Sequence, residues 1–169
     1  MVGSMRKFLD ANVFIYAFYR PRKRRLDPMA KAMKVLAKDI IKKISRGEEK
    51  VVTSVVHVAE ICNVVKQSLP VTEVISLMNS IVTSKHIDIL DVTAELYRNA
   101  IAVGINYGLE PNDALAVLLM EQLGISDIYT FDKDFDAVKW LARYPTDQQI
   151  RKKVEDLQLS QNYGAKKVK

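Results

Sequence analysis

Cysteine and histidine are almost missing from this chain of 169 residues, which has one Cys and two His. The lone thiol, Cys62, excludes an internal disulfide and reads as a small core hydrophobe. So few thiols and imidazoles argue against a zinc site. No apolar run approaches the ~18–20 residues of a membrane span. Asp10 and Asn12 interrupt the greasy N-terminal segment, which spoils it as a signal peptide. The expectation is a cytoplasmic protein with no membrane contact. No strand candidate leads into a Gly-rich phosphate loop, which argues against a nucleotide-hydrolysing switch. What the chain does have is 49% hydrophobic residues, enough for one domain with a real core, and a net charge of +6. That charge suits an anionic partner, nucleic acid being the commonest.

The apolar pattern alternates between short strands and long helices. "KFL" before Asp10 fits a buried strand, and "NVFIYAFYR" continues as a helix capped by Asp10 or Asn12. "DPMAKAMKVLAKDIIKKISRG" predicts a helix with Asp27 as cap, Pro28 first, and Gly47 as stop. Its apolar stripe is Met29, Ala32, Met33, Leu36, Ile40 and Ile44. "KVVTS" is a second strand, followed by a helix from Ser54 to Leu69. A helix over "VTEVISLMNSIVTS" has Thr72 as its expected cap. "HIDIL" is a third strand, and a helix then runs to Gly108. The next helix spans Asn112 to Gly124, "DIYTF" is a fourth strand, and "AVKWLA" is expected as a fifth at an edge. Such alternation predicts a three-layer α/β/α sandwich with a parallel sheet of four to five strands. The domain is expected over residues 5–145, with 146–169 a charged tail, partly helical or disordered.

Ligands of parallel sheets bind beyond the carboxyl ends of the strands. Asp10 and Asp132 each follow a strand and so share that edge. Glu60 lies in a helix apolar on nearly every face, so it needs a partner. Asp113 tops a core-facing stripe of Ala116, Val117 and Met120. Each acid alone has a bland reading: a cap, a loop residue, a lysine's partner, or complement to a helix dipole. Gathered carboxylates repel, by roughly 3 kcal/mol for two unit charges about 5 Å apart at an effective dielectric of 20. A hard divalent cation removes that penalty, and carboxylate oxygens suit Mg²⁺ or Mn²⁺. The matching chemistry is phosphodiester hydrolysis. "DKDFDAV" is not an EF-hand loop, because Ala137 and Arg143 stand where Gly and Glu are required.

"FLDANVFIYA", "VAEICNVV", "NDALAVLL" and "YTFDKDFDAV", in this order, resemble the PIN domain family, in particular its VapC-like ribonuclease toxins and their archaeal relatives. The resemblance spans about Lys7 to Pro145. It implies Mg²⁺- or Mn²⁺-dependent cleavage of single-stranded RNA, with metal ligation by Asp10, Glu60, Asp113 and Asp132. It implies that Asp134 is a further acid for a second metal or water. Asn12 would hydrogen-bond the first aspartate or a ligand water, and Thr130 and Phe135 would have structural roles. It also implies a homodimer, through helix faces at 28–46 and 71–82, and an antitoxin protein as partner. The long basic segment from Arg20 to Gly47 and the extended tail depart from compact members.

Arg20, Arg22, Lys23, Arg24 and Arg25 are candidates to grip an RNA backbone. A solvated loop, or a dock for an acidic protein, is the other reading. Three functions stand beside the toxin: a housekeeping RNA-processing endonuclease, a non-catalytic RNA-binding module, and a phosphatase of another α/β class. The intact set of four acids argues against the module. Asn12, standing where the phosphatase would want a second Asp, argues against the last.

Overall fold

A computed structural model of the protein describes residues 6–21 and 26–166. Arg22, Lys23, Arg24 and Arg25 lie outside the described residues. Five parallel strands form one sheet in the order β3-β2-β1-β4-β5. They are β1 Lys7–Leu9, β2 Val51–Ser54, β3 Ile87–Leu90, β4 Asp127–Tyr129 and β5 Ala142–Tyr144. The helices are α1 Ala11–Phe18, α2 Pro28–Ser45, α3 Val55–Val65, α4 Val71–Val82, α5 Ala94–Tyr107, α6 Pro111–Leu123 and α7 Asp147–Lys166. None is long and apolar enough to cross a membrane among the described residues.

Strand residues point alternately to the two sides, and each central strand feeds two cores. Leu9, Val51 and Tyr129 face a cluster built with α1 to α4. Their neighbours Phe8, Val52 and Ile128 face a second cluster with α5 and α6. This is the three-layer sandwich that the alternating pattern predicts. The α6 helix buries Ala114, Leu115, Ala116, Val117, Leu119 and Met120, so it is held on several sides at once. Each large apolar side chain buried there contributes about 1.5–3 kcal/mol. That fixes the helix whose first turn carries Asp113.

Several boundaries differ from the sequence expectation. "AVKWLA" is not a strand: Val138 and Leu141 join the second core at a three-residue spacing, through turns closed by Val138 N to Phe135 O and Leu141 N to Val138 O. The fifth strand begins only on the last residue of that segment, running over Ala142–Tyr144 at the sheet edge. The tail forms a 20-residue helix, α7, where its composition predicts a short or frayed one. It is ordered by packing on α2, with Ile150 buried in the first core. The α3 helix stops at Val65, short of Leu69. Gln67 and Ser68 reach back only three residues, and Pro70 disfavours helical backbone before it. Pro70, not Thr72, occupies the cap of α4. The α6 helix starts one residue early, on Pro111, a favoured first position.

The α5–α6 corner depends on Gly104. A methyl there would sit 2.7 Å from the Leu109 carbonyl oxygen and 3.3 Å from Ala114 Cβ. Replacing a mid-helix glycine by alanine ordinarily gains about 1 kcal/mol. Here the backbone contact reverses the sign. Gly104→Ala should cost about 1–3 kcal/mol, seen as a lower urea midpoint. An unchanged or higher midpoint would contradict this close approach.

Candidate active site

The β1 strand is the point where strand order reverses, with β2 on one side and β4 on the other. Ligand crevices open at such switch points. Asp10 leaves β1 here, its backbone N–H donating to Tyr129 O at 3.1 Å. It occupies the cap position of α1, yet its side chain makes no capping bond. The carboxylate turns to β4 instead, where Thr130 Oγ1 donates to Asp10 Oδ2 at 2.7 Å.

Thr130 organises its surroundings. Its hydroxyl also accepts from Asn12 Nδ2 at 2.9 Å and from the Asp132 N–H at 3.0 Å. One donor and two acceptor sites are thereby all used. Asn12 completes the loop, its Oδ1 accepting from Phe131 N at 3.2 Å. Asn12 thus does not cap α1; it ties the α1 end of the site to the β4 end. Its link to Asp10 runs through Thr130. Asp132 Oδ1 accepts from Asp134 N at 2.9 Å, which sets the turn after the strand.

Glu60 approaches from α3. Its Oε2 accepts from Asn112 Nδ2 at 2.9 Å, and Asn112 Oδ1 accepts from Tyr97 Oη at 2.8 Å. The partner expected for Glu60 is therefore a neutral amide. Tyr97 and Asn112 were not evident from the sequence. The signal available for Asn112 was its place beside Asp113 in the first turn of α6; Tyr97 had none beyond a polar tip on a core-facing helix. Beneath them lies His57, buried and edge-on to Phe8, with Nδ1 2.7 Å from Ser54 Oγ. Burial lowers its pKa to about 4, so it is neutral.

The electrostatics show which acids share a field. Asp10 is 5% exposed. Its carboxyl is pushed up to about 7, mainly by burial and further by the charges of Glu60 and Asp132, against the opposing pull of Thr130. Asp113 is likewise raised to about 7, by burial and then by Asp10, Asp132, Glu60 and Glu110. Asp10, Glu60, Asp113 and Asp132 therefore stand together, from four separate segments. None of them forms an ion pair among the described residues. Asp134 is exposed and is not among the charges that raise Asp10 or Asp113. Asp136 serves elsewhere, binding the buried guanidinium of Arg143 together with Asp147. Arg20 pairs with Glu73 at 3.0 Å on the surface.

Among the described residues no group of three or more Asp, Glu, His or Cys side chains is placed to hold a metal ion. The donors still suit a hard cation. They are carboxylates without a counter-charge, and Mg²⁺ commonly takes one or two carboxylates directly while keeping several waters.

This parallel sandwich, with acids gathered at its switch point, is the architecture of one nuclease class. The PIN domain family model matches residues 7–141, and the chain belongs to that family, whose members are nucleases. Among solved structures, VapC20 of Mycobacterium tuberculosis, described as a Sarcin-Ricin loop cleaving toxin, is similar in fold. It has 21% identity and a TM-score of 0.59 over 78% of this chain and 94% of that one. FitAcB from Neisseria gonorrhoeae aligns at 19% identity and a TM-score of 0.48, over 81% of this chain and 95% of that one. Comparison with curated proteins gives no match.

The raised carboxyls fix the sign of a pH effect. The folded chain holds protons on Asp10 and Asp113 that the unfolded chain releases near pH 4. Stability of metal-free protein therefore falls as pH rises from about 4 to 7. Asp147, held down to about 2 by Lys133 and Arg143, works oppositely but only below that window; His57, lowered to about 4 by burial, opposes the fall up to about pH 6.5, one group against two. In EDTA the melting temperature should be higher at pH 5 than at pH 8. Asp10→Asn should raise the pH 8 value and flatten the profile. A flat wild-type profile would show that the acids do not crowd one another.

Proposed function

We propose that this protein is a Mg²⁺- or Mn²⁺-dependent endoribonuclease of the VapC type, hydrolysing phosphodiester bonds of single-stranded RNA. The observation that carries the reading is four uncompensated carboxylates converging from remote segments. Membership of a nuclease family supports it, as does the fold likeness to VapC20, described as a Sarcin-Ricin loop cleaving toxin.

Asp10, Glu60, Asp113 and Asp132 would hold the ion, with Asp134 at its outer edge. When bound, the metal supplies positive charge to the scissile phosphate and makes water more acidic. The chain's own part is positioning. Thr130 and Asn12 lock Asp10 and the Asp132 backbone into one frame. Tyr97 and Asn112 set the Glu60 carboxylate. Protons retained near pH 7 by Asp10 and Asp113 compete with the cation, so metal affinity rises with pH.

The test is cleavage of mixed single-stranded RNAs with Mg²⁺, Mn²⁺ or EDTA. Wild type should give metal-dependent products, and Asp10→Asn should lose at least about 100-fold in rate. RNA binding without cleavage under every condition would overturn the enzyme in favour of a binding module. For the toxin aspect, production of wild type alone should arrest growth where Asp10→Asn does not. Equal growth would leave an RNA-processing endonuclease and remove the need for an antitoxin.

The homodimer also belongs to this reading. Val71, Ile75 and Val82 are exposed along one face of α4, and Ile75 is 63% exposed. Such a stripe on a surface helix suits burial against a second copy. In light scattering the 19.2 kDa chain should appear at about twice that mass, and Ile75→Asp should halve the value. A monomeric wild type would exclude the dimer.

A further inference from the structure

The cap of the long helix α2 and the acid edge share a neighbour, Tyr16. The charges of both Asp27 and Asp132 act on Tyr16, whose ring meets Phe131 edge-on at 5.0 Å. From Asp27 the helix runs 18 residues, about 27 Å at 1.5 Å per residue. Lys31, Lys34, Lys38 and Lys42 recur at steps of three or four along it. That spacing puts them on one side, opposite the buried Ala37, Ile40 and Ile44. Lys31, Lys38 and Lys42 are exposed and form no ion pair among the described residues.

The row borders a groove. A cavity of about 730 Å³ lies between α2 and α7, with Lys31, Lys34 and Lys38 facing Val154, Leu157 and Gln158. Its one carboxylate, Asp27, is engaged in capping α2 through the Ala30 N–H at 2.8 Å. A smaller hollow of about 200 Å³, lined by Tyr16, Tyr19 and Pro21, shares Leu26 and Lys34 with the groove. Its Tyr16 is the residue whose ring meets Phe131, next to Asp132. The cations crowd one another: Lys34 is held below the usual lysine range, first by burial and then by Lys38 and Arg20. Lys34 is anchored by donating to Tyr19 O at 2.8 Å. A polyanion relieves this crowding, and aromatic and apolar surface beside it accepts unpaired bases, the combination by which single strands are held. The α7 wall lies beyond the family match, which ends at residue 141.

We propose that the lysine row of α2, reached through the Tyr16–Tyr19 hollow and walled by α7, is a track for the backbone of single-stranded RNA outside the cleaved bond. Its direction rests on the nuclease reading; its existence as a binding surface does not. The lysines act as point charges on phosphates, setting position and not sequence.

The experiment uses the full chain carrying Asp10→Asn, in EDTA, with fluorescent single-stranded RNAs of 5 and 20 nucleotides. Anisotropy is read across a salt series, with and without Lys31→Gln/Lys38→Gln/Lys42→Gln; Lys34 is kept because it anchors Tyr19. The triple variant should bind the 20-mer about tenfold more weakly at 0.1 M salt. Its slope of log affinity against log salt should fall by about 2, from three lost contacts at roughly 0.7 each. The 5-mer should be unaffected. In the active protein with metal, kcat/KM should fall for the long RNA alone. Unchanged 20-mer affinity and slope, or equal loss on both lengths, would overturn the track. So would wild-type capture of polyglutamate in preference to RNA, which would assign the row to an acidic protein. If wild type cleaves nothing while the binding results hold, the nuclease reading fails and the track stands.

Discussion

The hydrogen bond from Thr130 to Asp10 is the contact on which the rest of the molecule's arrangement turns. It joins the ends of two adjacent parallel strands and gives a buried carboxylate its nearest polar partner. Burying such a group without a counter-charge is unfavourable, and the surrounding construction works to tolerate it. The Thr130 hydroxyl fixes Asn12 and the Asp132 backbone in the same stroke. One side chain with three bonds thus sets both the position of an acid and the course of the loop that brings another.

The remaining acids arrive by different routes, and each route shows in the packing. Glu60 rides on a helix pressed into the first core and is steered by an amide from the opposite layer. Asp113 stands on a helix that buries Ala114 to Val117 directly after it, so its first turn has little freedom. The sandwich therefore aims side chains from both layers over the same sheet edge. Burial first, and the neighbouring like charges after it, raise Asp10 and Asp113 toward neutrality. The crowded carboxylates therefore hold protons that free ones release.

Much of this was legible in the sequence, for identifiable reasons. The parallel sandwich follows from short apolar runs alternating with amphipathic helices, and the convergence of Asp10 and Asp132 from their places after strands. Glu60 stood out because a carboxylate in an apolar helix has to be used. Local patterns could not show what depends on contacts between distant segments. Thr130 follows a strand like any other threonine until β1 lies beside it. Tyr97 and Asn112 become a pair only when α5 folds against α6. "AVKWLA" has strand composition, but its spacing serves turns over the second core. The tail is polar enough to look frayed, and α2 is what orders it. The basic segment around residues 22–25 lies outside the described residues, whereas Lys31, Lys34 and Lys38 of α2 line a groove once α7 is in place.

The pairing of β1 with β4 has a consequence in time. Phe8 aligns with Ile128 and Leu9 with Tyr129, so Asp10 and the Thr130 that holds it are 120 residues apart along the chain. A nascent chain emerging from the ribosome carries Asp10 and Glu60 long before it carries Thr130 or Asp132. Until that later segment has been made, Asp10 has no hydroxyl to hold it and β1 has no β4 beside it. The order of synthesis completes the acid edge last.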